Sequence, residues 1–282
     1  KALSRPSGYV GAFGGMGFVY PEVIGMVLRG MGFKAAAPAG TGDAQTHVFT
    51  LDERANAPWM TVLHGIGDGA ARFERRLTDA RIEMLRLDAS VRGLQQTFTG
   101  YGITEDAAVG TETSTNETDA MLLPSRGTAT VKIEGVAFTS AFRTMRFQIA
   151  NQLDRSQQQL FTFKRDDLPT QGLDITGILG QIDLDYTTYK KLNWGGASGT
   201  TPVAKGVKGD VSFKFESAEI AETGTPDVPY SLEFVLPSIE LRMGNFQSRG
   251  RDLIRFDLNF MMIDDTTDPV TVNLVNKRST QY

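Results

Sequence analysis

Residues 254–260 read Ile-Arg-Phe-Asp-Leu-Asn-Phe, with an apolar side chain at every second position. A period of two belongs to a β-strand with one face in a core and the other in water, because successive side chains point to opposite faces. Similar runs, rich in β-branched, aromatic and aliphatic residues, recur along the chain. In the first half they fall at 46–51, 59–63, 82–89, 94–103 and 128–137. In the second half they fall at 145–150, 160–163, 173–181, 211–216, 232–236, 239–243, 254–263 and 270–275. Glycines, 30 in 282 residues, and short polar clusters separate these runs, as turns require. The pattern predicts a mainly β sandwich or half-barrel.

Helical periodicity is confined to two segments. Pro21 suits a first helical turn, where its missing N–H costs nothing. The apolar residues at 23, 24, 27, 28 and 31 then share one face, and Gly30 and Gly32 end the segment. The second segment, 185–192, closes at Gly195 and Gly196. Two stretches read as loops: 105–127, which is polar, acidic and threonine-rich, and the shorter 218–229. Loops of this length inside a β domain are functional arms or mobile segments.

The order of these elements repeats. A helix at 21–31 precedes strands at 47–51, 60–63, 82–87, 94–103 and 129–133. A helix at 185–192 precedes strands at 211–215, 232–236, 239–243, 254–263 and 270–274. The repetition is one of pattern rather than identity, and chance agreement between two β-rich halves is the alternative. It divides the chain into a first module at 1–140, carrying the long loop 105–127, and a second at 141–282. Each has about 140 residues, an ordinary domain size.

Composition narrows the function. Hydrophobic residues make up 40% and charged residues 22%, enough for a sizeable core. Cysteine is absent, which excludes disulfides, thiolate nucleophiles and thiolate metal sites. The net charge of −4 and the scattered basic residues leave no basic face for gripping DNA. No apolar run approaches the roughly 18 residues of a membrane-spanning helix, so no membrane association is expected. The sequence opens on Lys1 with no signal-peptide pattern, and residues upstream are expected to have been lost or removed.

The motifs that could carry chemistry each have a plainer explanation. Gly65-Ile66-Gly67-Asp68-Gly69-Ala70 fits a dinucleotide fingerprint, yet the alternation of strands with long helices that such a site needs does not follow. Gly30-Met31-Gly32-Phe33-Lys34-Ala35 fits too, but lies where helix-ending glycines belong. His47 and His64 are the 2 histidines, and no Gly-x-Ser-x-Gly elbow accompanies them. Asp166, Asp167, Asp183, Asp185, Asp264 and Asp265 could hold calcium or form a glycosidase pair. Each sits at a predicted strand end, where aspartate favours turns. The reading is therefore of a non-enzyme with no catalytic residue, no cofactor site and no metal site.

Several segments in order resemble the major tail tube proteins of long, non-contractile-tailed bacteriophages. The glycine-rich lead and helix at 14–32, the strands Thr46-His47-Val48-Phe49 and Trp59-Met60-Thr61-Val62, and Arg81-Ile82-Glu83-Met84-Leu85-Arg86-Leu87 with Gly93-Leu94 carry the likeness in the first half. Residues 146–153, 172–179, Val235-Leu236-Pro237-Ser238-Ile239 and Val272-Asn273-Leu274-Val275-Asn276 carry it in the second. The resemblance implies two tandem tube modules, each with a short flanking helix, whose strands join those of neighbouring copies into an inner β-barrel. It implies a homo-oligomer stacked into a tube, with three chains per ring if the modules are duplicated and six otherwise. A tape-measure protein and tail terminator or tip proteins would be partners. DNA would cross the lumen without specific binding, eased by a negative potential. The location implied is the virion tail, assembled in the bacterial host cytoplasm. The rival reading is a carbohydrate-binding β-sandwich or a glycosidase-like β protein, which would present exposed aromatics along a cleft. The chain has 2 tryptophans, Trp59 and Trp194, to offer it.

Overall fold

The computed structural model describes residues 11–40, 42–51, 58–66, 73–90, 93–107, 121–138, 143–153, 170–183, 186–196, 198–202, 206–224, 226–247, 255–263 and 270–282. Among them the first half supplies β1 (Gly11–Phe18), α1 (Pro21–Gly30), β2 (Phe33–Ala35), β3 (Gln45–Leu51), β4 (Met60–Ile66), β5 (Phe73–Ser90), β6 (Gly93–Ala107), β7 (Leu122–Ile133) and β8 (Val136–Phe138). The second half supplies β9 (Thr144–Leu153), β10 (Thr170–Asp183), α2 (Tyr186–Trp194), β11 (Val207–Glu222), β12 (Val228–Gln247), β13 (Arg255–Met262) and β14 (Thr271–Asn276). The protein is mainly β.

All the strands join in one antiparallel sheet. Its main path runs β1-β6-β5-β9-β10-β13-β12-β11-β7-β8, with β14, β3 and β2 branching from β12, and β4 from β5. Strands of residues 1–140 hydrogen-bond strands of residues 141–282 at three places: β5 with β9, β7 with β11, and β3 with β14.

The sheet folds back on itself. Phe147 on β9 and Phe213 on β11 are four strand spacings apart, about 19 Å in a flat sheet. Their ring centroids are 6.4 Å apart. Phe147 also meets Phe234 of β12 at 4.9 Å and Phe260 of β13 at 6.4 Å. All four rings are buried. A backbone hydrogen bond from Leu122 to the Val19 carbonyl, 3.2 Å long, also ties the start of β7 to the residue after β1.

β12 makes the turn between layers possible. Its residues 231–235 pair with β14, and residues 239–247 pair with β13. Pro237 and Ser238 lie at the change-over, opposite the single residue Asp210 of β11, where the register shifts. A proline has no N–H for a ladder, and a β-bulge is where a strand tolerates that loss. Sequence reading placed two strands here, at 232–236 and 239–243. The bulge keeps them one.

Other boundaries move for similar reasons. The strand expected at 128–137 is a hairpin, β7 and β8, turned at Glu134 (φ 52°) and Gly135 (φ 78°). Two consecutive positive φ values match the twist of a tight hairpin. The loop expected at 218–229 is instead the strand-bearing tip of the β11–β12 hairpin, with β11 reaching Glu222 and β12 starting at Val228. The loop expected at 105–127 is entered by β6 as far as Ala107 and left by β7 from Leu122. The strand expected at 160–163 lies outside the described residues.

α1 lies over the sheet with Ile24, Val27 and Leu28 buried. Glu22 sits in its first turn and Arg29 in its last, each matched to the helix dipole. Gly32, at φ 98°, lets the chain leave the helix for β2.

Truncating Phe147 to alanine removes the ring shared by four strands. The expected loss is about 3–5 kcal/mol, read from urea denaturation as a lower midpoint at unchanged slope. A loss below about 1 kcal/mol would show that the layers are not joined there.

Candidate functional surface

Alternation decides which side chains face out. On β9, Met145, Phe147, Ile149 and Asn151 are buried, leaving Arg146 and Gln148 on the opposite face. Directly paired residues in an antiparallel ladder share a face, so the register draws rows across the sheet. One row runs Phe18, Gln95, Asp88, Arg146, Ile178, Asn259, Arg242. The next runs Met16, Thr97, Arg86, Gln148, Thr176, Met261, Glu240, Lys208.

Among the charges in these rows, Arg86, Asp88, Arg146, Glu240 and Arg242 are paired. Asp88 takes the Arg86 guanidinium at 2.6 Å and that of Arg146, on the next strand, at 2.9 Å. Glu240 accepts from Arg242 and from the Gly206 backbone N–H at 3.0 Å. Partial burial would raise the Asp88 pKa, but hydrogen bonds from Arg86 and Arg146 outweigh it and hold the carboxyl below its ordinary range. A shallow depression of about 450 Å³ lies in the middle of this face, lined by Arg146, Thr176, Ile178, Arg242, Asn259 and Met261. The face over β7 and β11 follows the same rule, with Lys132 facing Asp210 at 3.4 Å and Lys214 beside Glu216 at 2.8 Å.

Among the described residues, the candidates for chemistry are not brought together. Gly30 and Gly32 sit at the end of α1 and just beyond it. Gly65 and Ile66 end β4, and the rest of that glycine run lies outside the described residues. His64 is in β4, opposite Arg75 in the register. Asp183 ends β10, while Asp166, Asp167, Asp185, Asp264 and Asp265 lie outside the described residues. Among the described residues no three His, Asp or Glu side chains gather as metal ligands. Trp59 directly precedes β4 and Trp194 ends α2, each near a cation. Arg81 lies 3.9 Å over Trp59, and Lys190 lies between Tyr186 and Trp194 at 4.6 and 5.9 Å.

Sequence reading missed a buried polar cluster around His47, which is fully enclosed. Its Nε2 lies 3.1 Å from Asn276 Oδ1 and 2.9 Å from the Arg278 carbonyl. Asn276 Nδ2 donates to the Pro21 carbonyl at 3.0 Å and to Tyr282 Oη at 2.6 Å. Tyr282 Oη donates in turn to the Glu22 carbonyl at 3.3 Å, and Glu22 Oε1 accepts the Lys277 N–H at 3.1 Å. The Tyr282 ring lies against Gly25, where a β-carbon would collide with it. The cluster straps residues 277–282 over α1 and β3. Its sequence signal is Asn at the buried phase of β14, where the alternation calls for an apolar residue.

Comparison with family models and with curated proteins finds no match for this chain.

Replacing Asp88 with Asn should cost about 0.5–1 kcal/mol at pH 7, the scale of a partly exposed ion pair. A depressed carboxyl stabilises fully above its unfolded pKa, near 3.8, and loses that contribution as pH falls through the folded value. Denaturation of both proteins should therefore show a gap at pH 7 that closes in strong acid and narrows in high salt.

Proposed function

We propose that this protein is a structural subunit of a phage tail tube, not an enzyme, and that copies of it form stacked rings enclosing a conduit for DNA. The observation that carries this reading is the central sheet. One face is sealed by the aromatic core; the other is broad and mixed, with the exposed apolar side chains of Met16, Ile178 and Met261 among arginines engaged by Asp88 and Glu240.

A conduit for DNA needs a wall that does not hold phosphates. On the rows described, Arg86 and Arg146 are engaged by Asp88, and Arg242 by Glu240. The proposed lumen is thus mixed in charge, rather than the negative wall expected from net charge. Arginines engaged by carboxylates have less to offer a passing phosphate.

The edges of the sheet support assembly. Among the described residues β1 ends the path at one side, glycine-rich and with Met16 83% exposed. An uncovered edge invites pairing with another chain, and closure with neighbours into an inner barrel removes it. Under this reading two tandem modules per chain give three chains per ring, and one module gives six. A tape-measure protein and tail terminator or tip proteins are the proposed partners, with the virion tail as the location. No helix among the described residues is long and apolar enough to cross a membrane.

Negative-stain microscopy of the purified protein tests the proposal: rings or tubes are expected, and a monodisperse monomer that binds a sugar would favour the carbohydrate-binding alternative. We further propose that the segment joining β6 and β7 contacts a neighbouring subunit or ring. Deleting residues 109–120 should leave a folded protein that does not polymerise; normal tubes from the deletion would refute this role.

A further inference from the structure

Both groups near His47 Nε2, Asn276 Oδ1 and the Arg278 carbonyl, are acceptors in this network. Asn276 Oδ1 must be an acceptor, since it also takes the Arg278 N–H at 3.0 Å and its Nδ2 is used on Pro21 and Tyr282. Nε2 therefore carries the proton of the neutral ring. The other nitrogen, Nδ1, is buried and has no hydrogen-bond partner among the described residues. A proton arriving there would bring a positive charge into the interior with no acceptor to take it.

We propose that His47 is an acid-sensitive latch: protonation at Nδ1 releases residues 277–282 from α1 and β3. The surroundings do not offset the charge. From the strap, the Arg278 guanidinium is a like charge, stacked 4.4 Å from the Tyr282 ring. From α1, the Glu22 carboxylate is held by the Lys277 backbone. Tyr282 engages His47 by a ring edge at 4.9 Å rather than by its hydroxyl, which serves Asn276. Asn276 of β14 is neutral, and Lys34 of β2 is exposed. Burial lowers the His47 pKa, against the opposing effect of its two hydrogen bonds.

The sign follows from linkage. In the released state the imidazole titrates near 6.5, whereas in the latched state it titrates lower. Between the two values the released state binds more protons, so the opening constant rises as pH falls, by up to about tenfold per pH unit. Above the upper value opening does not depend on pH. Release uncovers the flat surface at Gly25 and the Phe49 ring, whose centroid lies 5.6 Å from that of Tyr282.

Hydrogen exchange of residues 277–282, corrected for intrinsic rates, tests this on the full chain between pH 8 and 5. A His64→Gln background leaves one imidazole to follow by nitrogen-15 NMR. The expected result is an Nε2–H tautomer at pH 7.5 and protection that falls as pH drops below 6.5, in step with His47 protonation. His47→Gln, which keeps a donor near the Nε2 position but does not titrate, should hold its protection across the range. An Nδ1–H tautomer, protection independent of pH, or a His47→Gln profile that falls like the parent's would overturn the latch. If His47→Gln is already open at pH 7.5, the parent decides: opening that does not track imidazole protonation refutes the proposal.

Discussion

The ring of Phe147 meets those of Phe213, Phe234 and Phe260 across the fold, and much else depends on that contact. It holds β9 against β11, strands far apart along the sheet, and so fixes how tightly the sheet turns back on itself. Once one face of β9, β11, β12 and β13 is committed to this cluster, the period of two commits the other face to solvent. A shift of one residue in any of these ladders would exchange buried phenylalanines for arginines and carboxylates. The paired charges of the outer face are thus a consequence of the aromatic core as well as a surface in their own right.

The outer face shows how little net charge says about a local surface. The chain carries −4 overall, yet the rows across β5, β9, β10, β13 and β12 hold Arg86, Arg146 and Arg242, each in contact with the carboxylate of Asp88 or Glu240. Each pair is weak in energetic terms, because solvent screens it. In the proposed conduit they would occupy arginines that otherwise bind phosphate. A smooth, balanced wall needs no specific contact with its cargo, which is the property a conduit requires.

Much of this was legible in residue order. The strand at 254–260 declared its buried phenylalanines by alternation alone, and Pro21 with Gly30 and Gly32 bounded α1 to within one residue. What escaped had identifiable causes. Pro237 reads as a break, and only the register across from Asp210 reveals a bulge that keeps β12 whole. Residues 73–81 of β5 are rich in charge and fall outside the expected strand at 82–89, although β4 and β6 pair with them on both sides. The cluster at His47 was invisible because its partners, Pro21, Glu22, Asn276 and Tyr282, are more than 200 positions apart in places and carry no spacing that announces them. The outer rows were likewise beyond reach, since cross-strand neighbours are set by register rather than by sequence distance.

The central claim is that the face opposite the aromatic core is the wall of an assembled conduit. A cryo-electron microscopy reconstruction of particles assembled from the purified protein tests it most directly. The account predicts stacked rings in which Arg86, Asp88, Arg146, Glu240 and Arg242 point into the lumen, with β1 covered by a neighbouring chain. Rings that turn those side chains to the outer solvent, or particles with no lumen, would contradict it.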